Sequence, residues 1–210
     1  MSTRIAELVS GGGTNLQALI NAQAEGKFGT GKIVAVISTK AGAFALERAA
    51  KAGISGYVVP RKEYDSNRAM TVAMVNKLKE LQIDLVVLAG CMVIFTEEMV
   101  EEFPNAIMNV HPALIPSFCG EGYYGLHVHE KALEYGVKLS GATVHFVSEE
   151  CDGGPIIAQE AVPVLDGDTP ETLQRRIMEQ AEWKILPEAV ALFCQGRISV
   201  KGRNVIIKEI

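Results

Sequence analysis

Asn109 and His111 are the side chains of this chain best placed to hold a developing negative charge and to move a proton. They stand two residues apart in Met-Asn-Val-His-Pro at 108–112, and alternate residues of a strand project from the same face. An amide N–H donor beside an imidazole can stabilise an oxyanion while the ring transfers a proton. A lone strand histidine is more often a packed core residue, so the pair by itself leaves both interpretations open.

Asp152 is the candidate partner carboxylate, in Cys-Asp-Gly-Gly-Pro at 151–155. A carboxylate near an imidazole raises the pKa of the ring and can relay its proton. The same residues also fit an ordinary Asp-Gly turn between two strands. Spacing along the chain does not show whether Asp152 and His111 meet.

A glycine-rich loop, Ser-Gly-Gly-Gly-Thr-Asn at 10–15, follows the first predicted strand and opens the first helix. Glycines let the backbone approach an anion, and the N–H groups of a helix start point at it. No lysine follows the last glycine, as in a P-loop, and Leu16 occupies the third-glycine position of the dinucleotide fingerprint. The loop therefore predicts a monophosphate site, with a plain turn capped by Thr14 as the alternative.

Short β-branched runs alternate with helical stretches over the first two-thirds of the chain. Strands are predicted at 5–9, 33–37, 57–59, 84–88 and 106–110, and helices at 15–25, 44–52, 67–81 and 96–103. This alternation implies right-handed βαβ crossovers and an α/β fold with a doubly wound, mostly parallel sheet flanked by helices. The loops after the first, fourth and fifth strands then share the carboxyl edge of the sheet, where such folds bind ligands.

The last third of the chain predicts an antiparallel C-terminal portion of one domain that covers 1–210. Apolar runs at 141–147 and 156–164 flank a Gly-Gly-Pro turn, which is typical of a hairpin. A long helix is predicted from Thr169 to about Cys194, and the tail at 198–207 predicts a small exposed hairpin.

Composition and charge narrow the class of protein. The chain has 210 residues, of which 48% are hydrophobic and 21% charged, a globular composition. The net charge of -5 argues against general nucleic-acid binding, which needs a basic surface. Four widely spaced cysteines, the lack of a signal-peptide pattern and the lack of a bilayer-spanning apolar run favour a soluble cytoplasmic protein without a zinc site.

Five segments together resemble the folate-dependent formyltransferases of purine biosynthesis. They are Ser-Gly-Gly-Gly-Thr-Asn-Leu-Gln at 10–17, Asp-Leu-Val-Val-Leu-Ala-Gly at 84–90, Asn-Val-His-Pro-Ala-Leu-Ile-Pro-Ser-Phe at 109–118, Gly-Ala-Thr-Val-His-Phe-Val at 141–147 and Asp-Gly-Gly-Pro-Ile-Ile at 152–157. The resemblance implies transfer of a formyl group from the co-substrate 10-formyltetrahydrofolate to the amine of glycinamide ribonucleotide. It also implies a monomer or homodimer, and no metal, nucleic acid or membrane as partner.

The resemblance also implies roles for particular residues. Asn109, His111 and Asp152 match the catalytic residues: the first two would stabilise the oxyanion of a tetrahedral intermediate, and Asp152 would support the imidazolium and assist proton transfer. The residues that match phosphate- and ribose-binding positions are Gly13, Thr14, Asn15 and Glu182. The residues that match folate-binding positions are Arg68, Met92, Val93, Ile94, Phe95, Asn109, Ser148, Glu149, Glu150, Cys151 and Asp152.

Three features depart from the family pattern. Val93 stands where many members carry Arg or Lys, and the register around Arg68 is uncertain by one residue. The segment 119–125, Cys-Gly-Glu-Gly-Tyr-Tyr-Gly, replaces a short Pro-Gly link and predicts a mobile lid beside the site.

The other histidines are expected to have smaller roles. His145 precedes Asp152 on the neighbouring strand and is expected to pack or to hydrogen-bond. His127 and His129 alternate at the start of a predicted helix and are expected to lie on the surface, a spacing that can bind metal adventitiously.

Three other functions fit parts of this pattern. A formyltetrahydrofolate hydrolase would admit water in place of the amine, but such enzymes typically carry an N-terminal regulatory domain that this sequence is expected to lack. The tRNA formyltransferases carry a C-terminal domain and a basic surface, and this sequence is expected to have neither. A non-enzymatic sugar-phosphate or nucleotide sensor would use the same glycine loop without needing Asn109, His111 and Asp152 together.

Overall fold

The computed structural model describes residues 2–91 and 93–209. The strands are β1 (Arg4–Val9), β2 (Lys32–Ser38), β3 (Ser55–Val58), β4 (Leu85–Leu88), β5 (Ile107–His111), β6 (Leu139–Phe146), β7 (Ile156–Pro163), β8 (Ile198–Lys201) and β9 (Asn204–Ile207). The helices are α1 (Thr14–Ala24), α2 (Phe44–Lys51), α3 (Asn67–Glu80), α4 (Glu97–Glu102), α5 (Leu126–Tyr135), α6 (Pro170–Ile177) and α7 (Trp183–Cys194). A π-helical turn, Met178–Glu182, joins α6 to α7.

These strands form a single sheet in the order β3-β2-β1-β4-β5-β6-β7-β9-β8. Strands β1 to β5 pair in parallel, whereas β6 runs antiparallel to both β5 and β7. The predicted α/β fold with an antiparallel C-terminal portion is therefore confirmed. Because β2 and β4 lie on opposite sides of β1, the chain reverses direction across the sheet there, which opens a crevice at the carboxyl ends of these strands.

Helices cover both faces of the sheet, and alternate residues of the central strand β4 face one side or the other. Leu85 and Val87 of β4 face the core cluster under α1, α2 and α5 to α7. Val86 and Leu88 face the second cluster, under α3 and α4. All four residues are buried, as the nearly continuous apolar run of a central parallel strand predicts. The rigid centre of the sheet fixes where β1, β4 and β5 end, and so where the loops that follow them lie.

The predicted elements are present, with boundaries that differ by a few residues. Thr169 caps α6 through a reciprocal capping box with Thr172, as expected at the start of the last long helix. That helix contains the π turn, which the sequence pattern does not indicate. The tail hairpin joins the main sheet through one pairing, Ile156 with Asn204. Within the described part of the chain, the helices lack the combination of length and apolarity that crossing a bilayer requires.

Candidate active site

The structure brings Asn109, His111 and Asp152 together at the carboxyl end of β5. The Nδ1 atom of His111 lies 3.5 Å from Oδ2 of Asp152. The amide nitrogen of Asn109 lies 3.4 Å from the other carboxylate oxygen. His111 is 4% exposed, so the group sits at the floor of the crevice, shielded from bulk water. Asp152 thus contacts both Asn109 and His111, although it follows His111 by 41 residues.

The turn that carries Asp152 is held tightly against β6. A Cβ atom at Gly154 would lie 1.8 Å from the carbonyl oxygen of Phe146, so only glycine allows this approach. Asp152 itself has a φ of 54°, a left-handed conformation that aspartate tolerates better than most residues. The close approach at Gly154 and the left-handed conformation of Asp152 therefore do more than form a turn, because they direct the carboxylate toward β5.

The segment after β5 contacts the proposed catalytic group, Asn109, His111 and Asp152, through its backbone. The carbonyl oxygen of Phe118 lies 2.8 Å from Nε2 of His111, and the N–H of Gly120 donates to Oδ2 of Asp152 at 2.9 Å. The ring of Phe118 packs edge-on against Tyr123 and Tyr135, with centroids 6.4 Å and 5.9 Å apart. The segment 119–125 thus lies beside the site, as predicted; its motion stays a prediction. Sequence patterns did not indicate these contacts, because backbone groups have no residue signature.

Burial and charge act in opposite directions on the catalytic pair. Burial lowers the pKa of His111, and the nearby Asp152 carboxylate and the Phe118 carbonyl only partly offset this. Burial also opposes ionisation of Asp152, but its contact with His145, the charge of His111 and the Gly120 N–H together hold its pKa below the ordinary value. The resting state is a carboxylate beside a weakly basic imidazole. Both ring nitrogens face acceptors, so an imidazolium is supported whenever a reaction creates one.

The glycine loop turns its carbonyl groups toward the protein. The Gly11 carbonyl accepts from the N–H of Ala45, the Gly12 carbonyl accepts from Arg48 Nε at 2.9 Å, and the Gly13 carbonyl accepts from the N–H of Gln17. Because the N–H of the next residue points opposite to each carbonyl, the N–H groups of 12–14 face away from α2 and out of the start of α1. This is the geometry of an anion-binding nest.

Gly13 precedes α1 in a left-handed conformation with φ 68°, and no side chain caps this helix start. The expectation that Thr14 caps this helix start is therefore wrong, because Thr14 is the first helical residue and its hydroxyl contacts Met178 Sδ at 3.7 Å. A Cβ atom at Gly13 would lie 2.7 Å from that of Ala45, so the last glycine of the loop is required for packing against α2.

Asn15 and Glu182 meet behind this loop. The Asn15 amide donates to Glu182 Oε2 at 2.7 Å, whereas Asn15 Oδ1 is buried and has no hydrogen-bond partner among the described residues. Burial raises the pKa of Glu182, against the opposing effect of the Asn15 hydrogen bond. The π turn places Glu182 at this point, and π turns are frequent at functional sites.

Arg48 is a cation of this region that the sequence did not indicate. It lies in the last turn of α2 and reaches the loop through its hydrogen bond to Gly12. A cavity of about 540 Å³ extends from Thr14 and Arg48 to Trp183. No local pattern links Arg48 to a loop that lies more than thirty residues before it, so only the packing of α2 against the loop reveals it.

The residues expected to bind folate are divided between two places. Arg68, Phe95 and Glu149 line one cavity of about 360 Å³, together with Thr96, Glu97, Glu98 and Val100. Arg68 is ion-paired with Glu98, so the charge of this cavity is partly neutralised. Asn109 and Asp152 belong to the catalytic group.

The other expected folate residues lie on the loops at 93–94 and 148–151. Val93 packs against the core cluster under α3, and Ile94 is exposed. The Ser148 hydroxyl donates to the Glu150 carbonyl, which shapes the loop before Asp152. Cys151 is exposed on the same loop. Met92 lies outside the described residues.

The expectation that His129 lies on the surface is wrong. His127 is exposed and contacts Glu130 at 3.1 Å, but His129 is fully buried, and neither ring nitrogen has a partner within the described residues. Two positions along a helix rotate the side chain by about 200°, so one histidine faces water while the other faces the core. Burial lowers the pKa of His129 to about 4, and the charge of His111 adds to this. The residues described contain no cluster of three metal-binding side chains.

The sheet thus presents the glycine loop and the Asn109–His111–Asp152 group at one edge. The formyl transferase family profile matches residues 3–190, and the chain belongs to this family.

Relatives of known function support the assignment over most of the chain. Phosphoribosylglycinamide formyltransferase of Haemophilus influenzae is 42% identical over 198 residues, which are 94% of this chain and 90% of that protein. The crystal structure of glycinamide ribonucleotide transformylase 1 from Symbiobacterium toebii superposes with a TM-score of 0.93 at 45% identity, covering 99% of this chain and 95% of that one. The human trifunctional purine biosynthetic protein adenosine-3 is 42% identical over 208 residues.

The chain spans only 14% to 20% of the length of the trifunctional relatives that it matches. The family that the motifs indicated is nevertheless confirmed, and the single-function relatives match along nearly their whole length.

Proposed function

We propose that this protein transfers the formyl group of 10-formyltetrahydrofolate to the amine of glycinamide ribonucleotide, in the cytoplasm, as a step of purine biosynthesis. The observation that carries the proposal is the contact of Asn109, His111 and Asp152 beside an anion nest. The likeness to phosphoribosylglycinamide formyltransferases supports the choice of substrates.

The reaction begins when the substrate amine attacks the formyl carbon. The new C–N bond forms as the carbonyl electron pair moves to oxygen. The Asn109 amide N–H that makes the long 3.4 Å contact with Asp152 then donates to that oxyanion. The attacking nitrogen loses a proton to the Asp152–His111 pair, directly or through water. The bond from the formyl carbon to N10 of the folate then breaks, and N10 receives a proton. Tetrahydrofolate and the formylated ribonucleotide leave, and Asp152 and His111 return to their resting protonation state.

The substrates are held by the two regions that flank this group. The N–H groups of 12–14 suit the phosphate, while the open acceptor of Asn15 and the carboxylate of Glu182 suit ribose hydroxyls. We assign the folate to the cavity lined by Arg68, Phe95 and Glu149 because these residues match the family's folate-binding positions, with its pterin on the loops at 93–95 and 148–151.

A folate absorbance assay with and without glycinamide ribonucleotide tests the proposal. We expect loss of formylfolate only when the ribonucleotide is present, with one formylated product per tetrahydrofolate by mass spectrometry. Asn109→Ala should lower kcat by about 10²- to 10³-fold, and His127→Ala, an exposed position, should leave it unchanged. Formate release without ribonucleotide would indicate a hydrolase. Binding of both substrates without turnover would indicate a sensor.

A further inference from the structure

His145 lies directly opposite Asn109 across the antiparallel ladder of β5 and β6. It is 2% exposed. The pairing of β6 with β7 shifts register between Val144 and His145, and such irregularities re-aim side chains beside active sites. The strand is therefore locally adapted at the residue that faces the catalytic amide.

The two ring nitrogens of His145 have different partners, and these partners determine the tautomer. Nδ1 lies 2.8 Å from the carbonyl oxygen of Phe146, which only accepts, so Nδ1 carries the hydrogen. Nε2 lies 3.1 Å from the amide nitrogen of Asn109, which only donates, so Nε2 is the acceptor. The Asp152 carboxylate is farther from Nε2, at 3.6 Å.

The Phe146 carbonyl that anchors Nδ1 is itself held rigidly. The N–H of Phe146 donates to the Pro155 carbonyl at 2.9 Å, and Gly154 packs so closely on the Phe146 carbonyl that a Cβ atom would not fit. The turn that carries Asp152 therefore holds the Phe146 carbonyl in place, and this carbonyl in turn fixes the orientation of the His145 ring.

We propose that His145 is a positioning residue for formyl transfer, and this inference rests on the function proposed above. By accepting one amide N–H of Asn109, His145 fixes the plane of the carboxamide. The second N–H makes only the long 3.4 Å contact with Asp152 and is shared with the formyl oxygen as negative charge develops there. Without that acceptor, the Asp152 carboxylate at 3.4 Å is the strongest acceptor near Asn109 and would draw the amide toward itself. The oxyanion would then lose a pre-oriented donor.

A core histidine with a purely structural role would not depend on a catalytic side chain for its second hydrogen bond. His129 shows that this fold buries a histidine without any partner within the described residues. His145 in contrast directs one nitrogen at the main chain and the other at Asn109, and it touches no reacting atom itself.

A double-mutant cycle tests the coupling. His145→Phe keeps the ring volume and removes both nitrogens, and we expect kcat to fall roughly 10- to 100-fold with KM for both substrates within about threefold. His145→Gln can accept from Asn109 and should recover most of the loss. In an Asn109→Ala background, His145→Phe should cost less than about threefold more. Val144→Ala, a buried neighbour, controls for a general loss of stability in β6.

Losses that multiply in the double variant would overturn the inference, as would a kcat for His145→Phe no lower than that of Val144→Ala. A second readout does not depend on catalysis. Nitrogen-15 spectra of the histidine rings should show His145 protonated at Nδ1 only, with an Nε2 signal that moves in Asn109→Ala. An Nε2-protonated ring overturns the inference even if the enzyme transfers formyl groups. The expected ring signal in a wild-type protein without transfer activity would instead count against the proposed function alone.

Discussion

The glycine loop and the catalytic group lie at the same edge of the sheet but work by different means. The loop offers backbone N–H groups, and its first two glycines are exposed and open around their Cα atoms. The catalytic group offers side chains, and both His111 and Asp152 are almost completely removed from water. Backbone N–H dipoles at an open surface can hold an anion but carry no proton to exchange with a substrate, whereas buried ionisable side chains acquire shifted pKa values and can move protons.

Because of this difference, substitutions in the two regions should affect different kinetic parameters. A change in the loop alters a contact made equally in the ground and transition states, so it should appear in KM. A change in the catalytic group alters charge that matters during the reaction, so it should appear in kcat. Each region also has a buried ionisable group behind it: His129 lies close enough to His111 for their charges to interact, and Glu7 lies on β1, which leads into the loop.

The largest effect is expected from Asp152→Asn, which keeps the side chain's shape and removes its charge. We expect kcat to fall by about two to four orders of magnitude, with KM for either substrate changed by less than about tenfold. Without the carboxylate, the pKa of His111 should fall further, because Asp152 raises it. Steady-state kinetics and an NMR titration of His111 measure the two effects.

Asp166→Asn, at an exposed position in the turn after β7, provides the matched control. A defect of Asp152→Asn that lies wholly in KM would remove the distinction between the two regions. Circular dichroism must accompany the kinetics, because the Asp-Gly-Gly-Pro turn is also structural.

His129 should make stability depend on pH. Its folded pKa of about 4 lies below the ordinary 6.5, so the unfolded chain binds the proton more readily. Stability should be complete above pH 6.5 and decrease by about 3 kcal/mol as the pH falls to 4, with no further loss from this residue below that. Urea unfolding at several pH values measures this, and His129→Leu should remove this part of the slope. An unchanged slope would show that His129 is hydrated.

Glu7 should act in the opposite direction. The side chain is fully buried, its carboxylate oxygens have no partner among the described residues, and burial raises its pKa. The loss of folding stability caused by burying this carboxyl should be absent at low pH. It should grow as the pH rises from the ordinary pKa of the group to its raised folded pKa. We expect Glu7→Val to stabilise the protein by about 1 to 3 kcal/mol at pH 8, and Glu7→Gln by less. Thermal unfolding at pH 5 and pH 8 checks this; a destabilised Glu7→Val at pH 8 would mean that the carboxylate is bound by water.

The smallest effect is expected in the loop, where the structure favours Gly12 over Gly13 as the test position. Gly12→Val adds a side chain in open space beside the predicted phosphate, so KM for glycinamide ribonucleotide should rise about tenfold, with folate KM and kcat within threefold. Gly13→Val would strike Ala45 and should instead lower the melting temperature. Equal weakening of both substrates in Gly12→Val would mean that the loop does not bind the phosphate.

Local patterns in the sequence were enough to predict the alternating elements, the central buried strand and the glycine loop. Each of these follows from periodicity or from glycine's conformational freedom within about ten residues. The resemblance then selected Asn109, His111 and Asp152. The sequence could not show that Asp152 meets His111, because that depends on β6 and β7 returning antiparallel beside β5.

Tertiary structure alone decided the remaining contacts. The Phe118 carbonyl and the Gly120 N–H are backbone groups, which every residue possesses, so no residue type predicts their role. The burial of His129 depends on which face of α5 meets the core, and the pairing of His145 with Asn109 depends on strand register. Sequence periodicity determines which residues share a face of one element, whereas strand order and register determine which elements bring their faces together.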